Sequence, residues 1–295
     1  MTKRIVLFLL VLAGTMPALR AQSFLQQQLQ NATFRRAFDE KDTLLKREFE
    51  AKGLAYPPRY MYVRSFKYDS ELEVWVKQHQ ADTFRLFKTY RICALSGTLG
   101  PKHREGDGQV PEGFYYIDRF NPNSLYHLAL GLNYPNNADR KTLGEGDLGG
   151  GIYIHGSCVT VGCIPLTDSR IEEVYILAVH AHDLGQEYIP VHIFPIRFNN
   201  PRSQAFLASV SASDGPSQHF WINLKQAYDA FNRNHRMPVV MFDDRGRYVL
   251  QSNHLDRGTA ATASHLPAQK VPLPGSQPTA SVNSQSSRVP MENLH

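Results

Sequence analysis

Between residues 23 and 52 the apolar side chains Phe24, Leu25, Leu29, Phe34, Phe38, Leu44, Leu45 and Phe49 recur near helical spacing. Gly53 ends the run and Pro57 and Pro58 follow it, so the pattern predicts one or two amphipathic helices laid on the body of the protein. From Tyr60 the pattern changes. Residues 60–66, 72–77 and 83–95 are rich in Val, Tyr, Phe and Thr, and Tyr68-Asp69-Ser70 separates the first two as a hairpin turn would. Residues 113–120, 126–132, 152–155 and 189–198 read as further strands between loops rich in Gly, Pro and Asn. Residues 167–182 read as a helix capped by Thr167 or Asp168, with Glu172 and Glu173 in its early turns and Gly185 at its end. Helices are expected over 203–210 and 221–232. Strands at 238–242 and 248–251 flank Asp243-Asp244-Arg245-Gly246, a hairpin signal.

The chain has 295 residues, 42% hydrophobic, enough for one substantial core with extensions or for two small domains. Its net charge of +5 suggests a nucleic-acid or membrane-surface partner until the N-terminus is read. Lys3 and Arg4 precede the apolar run from Ile5 to Ala13, and small residues lead to Ala21: the form of a secretory signal peptide. Removing residues 1–21 takes away Lys3, Arg4 and Arg20 and lowers the charge to +2, which removes the argument for a nucleic-acid partner. No later segment has the roughly 18 consecutive apolar residues of a membrane span. After Arg257 the chain turns to Ala, Ser, Thr, Gln and Pro and is expected to be disordered. The expected layout is a signal peptide (1–21), a helical segment (22–57), a mostly β body (58–200), a helix-and-hairpin extension (201–257) and a tail (258–295).

Three cysteines remain in the exported chain, Cys93, Cys158 and Cys163, so an oxidising compartment leaves at least one thiol unpaired. Cys158 is expected to pack under a loop or to pair with Cys93, whereas a bond to Cys163 would silence that thiol. The informative stretch is GIYIHGSCVTVGCIPLTD, residues 151–168. A strand delivers His155, a glycine-containing loop follows, and Cys163 stands shortly before a helix. A cysteine nucleophile needs a thiolate, favoured by an imidazolium or a helix N-terminus. Gly162 allows close backbone approach, and N–H groups at Gly162 and Cys163 are candidate oxyanion donors. The Gly156 carbonyl is placed to fix the imidazole tautomer.

These residues resemble the active-site motif of the YkuD-type L,D-transpeptidase catalytic domain: a strand-borne His-Gly, here His155-Gly156, then Thr160-Val161-Gly162-Cys163. Upstream, Ser96-Gly97 and Gln109-Val110-Pro111-Glu112-Gly113-Phe114 are similar to the family's strand–loop–strand element, so the resemblance covers roughly residues 58–200. It implies a mostly β fold with peripheral helices (α+β), a β-sandwich-like catalytic domain. It also implies an exported, periplasmic or cell-envelope enzyme acting on diaminopimelate-containing peptidoglycan stem peptides through an acyl-enzyme on Cys163, with His155 as base. Val161 and Pro165 replace a His and an Arg common in the family. With the short loop and Cys158 this is closest to the YafK-like branch, which includes a hydrolase freeing a protein from peptidoglycan. Hydrolysis is therefore the alternative chemistry, and a non-catalytic wall-binding module the alternative class. No cofactor or metal is implied.

Of the remaining residues, Gly156, Ser157 and Thr160 are expected to shape the loop, with Thr160 near the thiolate. Asp168 serves as a helix cap or contacts substrate. Tyr134 and Asn136 line the groove or make an Asn/Pro turn. Gly144 to Gly151 lacks the Gly-Lys-Ser/Thr ending of a phosphate loop. His180 and His182 diverge on a helix, where metal pairs prefer i, i+4 spacing.

Overall fold

The computed structural model describes residues 22–144, 146–211 and 215–251; the expected signal peptide and tail lie outside them. Two helices open the chain, α1 (Phe24–Gln28) and α2 (Ala32–Ala51). Ser23 caps α1 in a capping box with Gln26, and the Asn31 side chain accepts from Phe34 N–H to start α2. The apolar stripe of α2, Phe34, Ala37, Leu45 and Phe49, is buried.

Eight strands follow in one sheet: β1 (Tyr60–Phe66), β2 (Glu71–Lys77), β3 (Arg85–Arg91), β4 (Gly113–Ser124), β5 (His127–Leu132), β6 (Tyr153–His155), β7 (Ile164–Pro165) and β8 (Ile189–Phe194). Their order is β3-β2-β1-β8-β4-β5-β6-β7. The expected mixed α+β class is realised as a single curled sheet with helices on both faces. Alternation along the strands explains the two layers. Met61, Val63, Leu72, Val74, Val191 and Ile193 point into the larger core. The helix α4 (Asp168–Asp183), buried along most of its length, and α2 cover that core. Phe66 and Phe194 point to the opposite face, where they meet the C-terminal extension.

Two short elements escaped the sequence pattern. The helix α3 (Asn137–Leu143) buries only Ala138, so it shows no apolar period; the Asn136 cap and Asp139 start it where the Asn/Pro run reads as a turn. β7 has two residues and lies between Cys163 and α4. The third strand is shorter than expected because the chain leaves the sheet after Arg91 and crosses to the far edge. There Cys93 N–H donates to the Pro165 carbonyl (3.1 Å), and the Arg170 guanidinium donates to the Arg91 carbonyl (2.8 Å). The two edges of the curled sheet are thereby joined.

The extension consists of α5 (Pro201–Ser211), α6 (Gly215–Asn234) and a hairpin, β9 (Val240–Phe242) with β10 (Tyr248–Leu250). Its place, undecided by sequence, is against the sheet: Trp221, Leu224 and Tyr228 cluster with Phe66, Phe194, Ile196 and Phe198. A buried polar network fixes the contact. Glu112 takes the Trp221 indole N–H (2.7 Å), the Gly100 N–H (2.8 Å) and the Lys67 ammonium (3.0 Å). Lys67 also donates to the Val110 and Gly100 carbonyls. The α6 helix therefore holds the 94–112 loop, which borders the candidate site.

Trp221→Phe keeps the ring but removes the donor, and is expected to cost about 1–3 kcal/mol. Glu112→Gln leaves the buried Lys67 charge unbalanced and is expected to cost about 3–5 kcal/mol. Thermal melting in which neither variant falls below the parent would show that the network does not carry the extension.

Candidate active site

β6 places His155. It pairs antiparallel with β5 (Ala129 opposite His155) and parallel with β7 (Ile154 opposite Ile164). Ile154 and Ile164 point into the core. The neighbouring positions, His155 on β6 and Cys163 just ahead of β7, therefore share the other face. In this register Cys163 lies two positions before Pro165, the partner of His155. The imidazole is buried, and its Nδ1 lies 2.5 Å from the Gly156 carbonyl. That carbonyl can only accept, so Nδ1 carries the proton and Nε2 presents its lone pair. Burial lowers the imidazole pKa below its ordinary 6.5, against the Gly156 contact. Tyr126 lies across the ring, centroids 4.9 Å apart.

The loop between them is fixed at every turn. Gly156 is required by crowding: a Cβ there would stand 2.6 Å from Asp168 Oδ1 and 2.9 Å from the Tyr126 carbonyl. Ser157 has φ +60° and donates its N–H to Asp168 Oδ1 (2.8 Å). Asp168 thus ties the loop to the first turn of α4, while Thr167 is the N-cap without a side-chain bond. Cys158 is bonded to Cys93, Cα atoms 5.4 Å apart, leaving Cys163 free. Thr160 Oγ1 accepts from Cys163 N–H and donates to the Cys163 carbonyl, both 2.8 Å. Gly162 has φ +102°, and a Cβ there would meet the Gln109 carbonyl at 3.0 Å.

Two expectations are corrected here. The amides of Gly162 and Cys163 are not open donors: Ser96 Oγ takes the Gly162 N–H (2.7 Å) and Thr160 Oγ1 takes that of Cys163. Cys163 also does not sit at a helix N-terminus, because β7 intervenes and α4 begins only at Asp168. Its half-buried thiol points to the Gly151 carbonyl (3.6 Å). Burial raises its pKa above the ordinary 9.0, opposed by the Tyr153 backbone and the Lys102 charge. Both shifts favour the uncharged forms, a thiol and a neutral imidazole, over a thiolate–imidazolium pair.

Tyr134, buried, ties two loops together, and Asn136 caps α3; among the described residues neither bonds to His155 or Cys163. The buried Tyr134 hydroxyl donates toward the Lys102 and Leu148 carbonyls (3.3 and 3.1 Å). Asn136 Nδ2 donates to the Phe114 carbonyl (3.0 Å). Sequence reasoning gave no role to Tyr126, Lys102 or Gly151 and read Ser96 only as part of the element resembling the family's strand–loop–strand; the curl of the sheet brings Ser96 to Gly162. His180, weighed for metal, meets Asp42 Oδ1 at 2.7 Å.

Residues 69–193 match the profile of the YkuD family, the L,D-transpeptidase catalytic domain. YafK of Escherichia coli K12, provisionally described as an L,D-transpeptidase, is 33% identical over 210 residues, 70% of this chain and 79% of that protein. The crystal structure of the helical cell shape determining protein Pgp2 from Campylobacter jejuni aligns with 22% identity, covering 63% of this chain and 73% of that chain, TM-score 0.39. Bd1075 of Bdellovibrio bacteriovorus aligns with 20% identity over 54% and 58% of the two chains, TM-score 0.34.

With the thiol protonated at neutral pH, iodoacetamide is expected to label Cys163 slowly at pH 7 and progressively faster above pH 9, because the thiolate is the nucleophile. A rate flat from pH 6 to 10 would indicate a preformed thiolate–imidazolium pair. Removing the disulfide as Cys93→Ser with Cys158→Ser frees a 65-residue separation, worth about 4 kcal/mol in the chain-entropy account. Calorimetry should show a lower melting temperature, and unchanged melting would show that the bond does not constrain the chain.

Proposed function

Because this chain belongs to the YkuD family of L,D-transpeptidase catalytic domains, we propose that it is an exported cysteine enzyme. Its substrates would be peptidoglycan stem peptides, attacked at the diaminopimelate carbonyl through an acyl-enzyme on Cys163. The observation that supports this most directly is the register of β6 and β7, which sets a free Cys163 two positions before Pro165, the strand partner of His155, with the imidazole Nδ1 held by the Gly156 carbonyl and Nε2 left as the accepting nitrogen. The leader pattern of residues 1–21 supports export to the periplasm or cell envelope, where that substrate lies.

In this reading His155 Nε2 takes the thiol proton as sulfur attacks the carbonyl carbon. A neutral pair suits such a concerted transfer, since charge develops only as the bond forms. Negative charge collects on the carbonyl oxygen. The Ser96 hydroxyl, whose oxygen holds the Gly162 N–H, keeps its own proton for that oxyanion. Collapse expels the leaving amine, protonated by His155, and leaves a thioester. An acceptor amine, losing a proton to His155, then attacks the thioester and restores the thiol. Tyr126 orients the base, and Gly156, Ser157, Thr160, Gly162 and Asp168 hold the loop in register. Water as acceptor gives the hydrolytic outcome, release of a peptide or wall-linked protein.

The test is incubation of the chain from residue 22, intact and as Cys163→Ala, with diaminopimelate-containing muropeptides and protein-linked peptidoglycan, with products read by mass spectrometry. Cross-linked or amino-acid-exchanged products in the intact sample alone are expected. Release with gain of water would assign the hydrolytic chemistry. Identical product profiles would remove Cys163 as nucleophile and leave a wall-binding module. For the active enzyme, kcat/KM should climb with pH through the ionisation of His155 below 6.5, since only the neutral imidazole accepts the proton.

A further inference from the structure

A cavity of about 680 Å3 opens between the extension-facing side of β1 and β2 and the C-terminal half of α6. That is the size of small-ligand pockets, about 300–1,000 Å3. Residues 93–165, which hold the candidate active site, contribute nothing to its lining. It lies along a polar seam between two aromatic clusters, one around Phe66 and Tyr228, the other around Trp75 and Phe231.

Charge at the seam is arranged unevenly. Arg64 and Glu73 are each only 3% exposed. The Arg64 guanidinium is ringed by Phe66, Trp75, Tyr228 and Phe231 at 4.9–5.4 Å. It donates through Nε and Nη2 to Glu73 Oε2 and through Nη1 to Asn232 Oδ1 (2.9 Å). Glu73 also receives Arg197 Nη1 (2.5 Å) and the Trp75 indole N–H (2.7 Å), so its acceptors are spent. Asp229, the other acid of the lining, is met by Lys225 (2.5 Å). On the donor side there is surplus. A guanidinium has five N–H groups, of which Arg64 uses three, and Arg233 at the rim has no ion pair or hydrogen bond among the described residues. The cavity thus offers cationic donors in excess of acceptors, beside aromatic walls.

We propose that this cavity is a second binding site, taking a carboxylate borne by a short peptide or a small organic acid, with Arg64 and Arg233 as its donors. A guanidinium fork matches a carboxylate, and a partly desolvated site strengthens the contact. A neutral amide lacks the charge that two guanidinium groups recognise, and the half-exposed Asp229, already met by Lys225, is the one lining acid with an oxygen left for a cation. The site does not depend on the chemistry of Cys163.

The experiment is calorimetric titration of the full chain carrying Cys163→Ala with N-acetyl-Ala-Ala as the free acid, with the same dipeptide as its C-terminal amide, and with acetate. Expected is saturable binding of the free acid, no binding of the amide, and a loss of about tenfold in affinity on Arg233→Ala, the effect of one charge-assisted contact. Arg233 is exposed, so its variant should melt with the parent. Binding of the peptide acid but not of acetate assigns a peptide as the source, and equal binding assigns a small acid. No binding, equal binding of the amide, or an affinity indifferent to Arg233→Ala would overturn the proposal; in the last case the ligand lies elsewhere, including the Cys163 groove.

Discussion

The site depends on the joint that brings the two edges of one sheet together at Cys93. A strand that simply ended at Arg91 would leave β3 and β7 as separate edges and the His155–Cys163 loop as an unsupported excursion. Instead the chain crosses from β3, Cys93 N–H bonds Pro165, and Cys93 Sγ bonds Cys158. Residues 94–112 are thereby launched across the loop, where Ser96 and the Gln109 carbonyl meet Gly162. Several constraints on the nucleophile loop descend from that crossing. A disulfide that reduces the freedom of the open chain also fixes the geometry of the site.

The second constraint comes from the opposite side of the sheet. Lys67 and Glu112 are buried, and a buried pair is a weak source of net stability. Their arrangement fits a registering role: both hold Gly100 of the 94–112 loop, Lys67 also holds Val110, and Glu112 also takes the Trp221 indole of the extension. Shifting the extension would leave Glu112 short of a donor in a dry environment. The extension acts on the site in this indirect way, through the loop whose position it sets.

Much of this was legible in the sequence because it rests on local patterns. The strands at 60–66 and 72–77, the helix capped at Thr167 and the C-terminal hairpin follow from alternation, capping and turn chemistry. His155 and Cys163 stood out because a strand-borne His and a Gly-Cys turn ahead of a helix are what a cysteine nucleophile needs, and because His-Gly with Thr-x-Gly-Cys resembles the family's motif; their eight-residue spacing alone left the meeting open. What stayed illegible is non-local. Whether Cys158 would meet Cys93 could not be read from spacing, since the contact arises from the curl of the sheet across 65 residues. The oxyanion donors looked open because a backbone N–H seen in a sequence has no partner, whereas Thr160 and Ser96 occupy two of them. The β7 pair was invisible for being two residues long, and with it went the inference that a helix dipole would acidify Cys163.

The neutral resting state has a consequence for a thiol that stands five residues from a disulfide. Exchange requires a thiolate, at a rate set by the fraction ionised and by access to the sulfur attacked. A thiolate at Cys163 that reached Cys158 would convert the structural bond into one that blocks the site. Burial favours the protonated thiol, its sulfur is turned to the Gly151 carbonyl, and the Thr160 hydroxyl anchors its backbone on both sides, N–H and carbonyl. The same proton protects the sulfur from oxidation, since susceptibility follows thiolate character. In the proposed reaction, attack then waits on a substrate carbonyl close enough for proton transfer to His155 to accompany it. One physical cause, desolvation, lowers the imidazole pKa and raises that of the thiol, so the surroundings that protect the sulfur at rest also keep the proposed base unprotonated. The transfer, uphill at rest, is driven by the carbon–sulfur bond that forms with it.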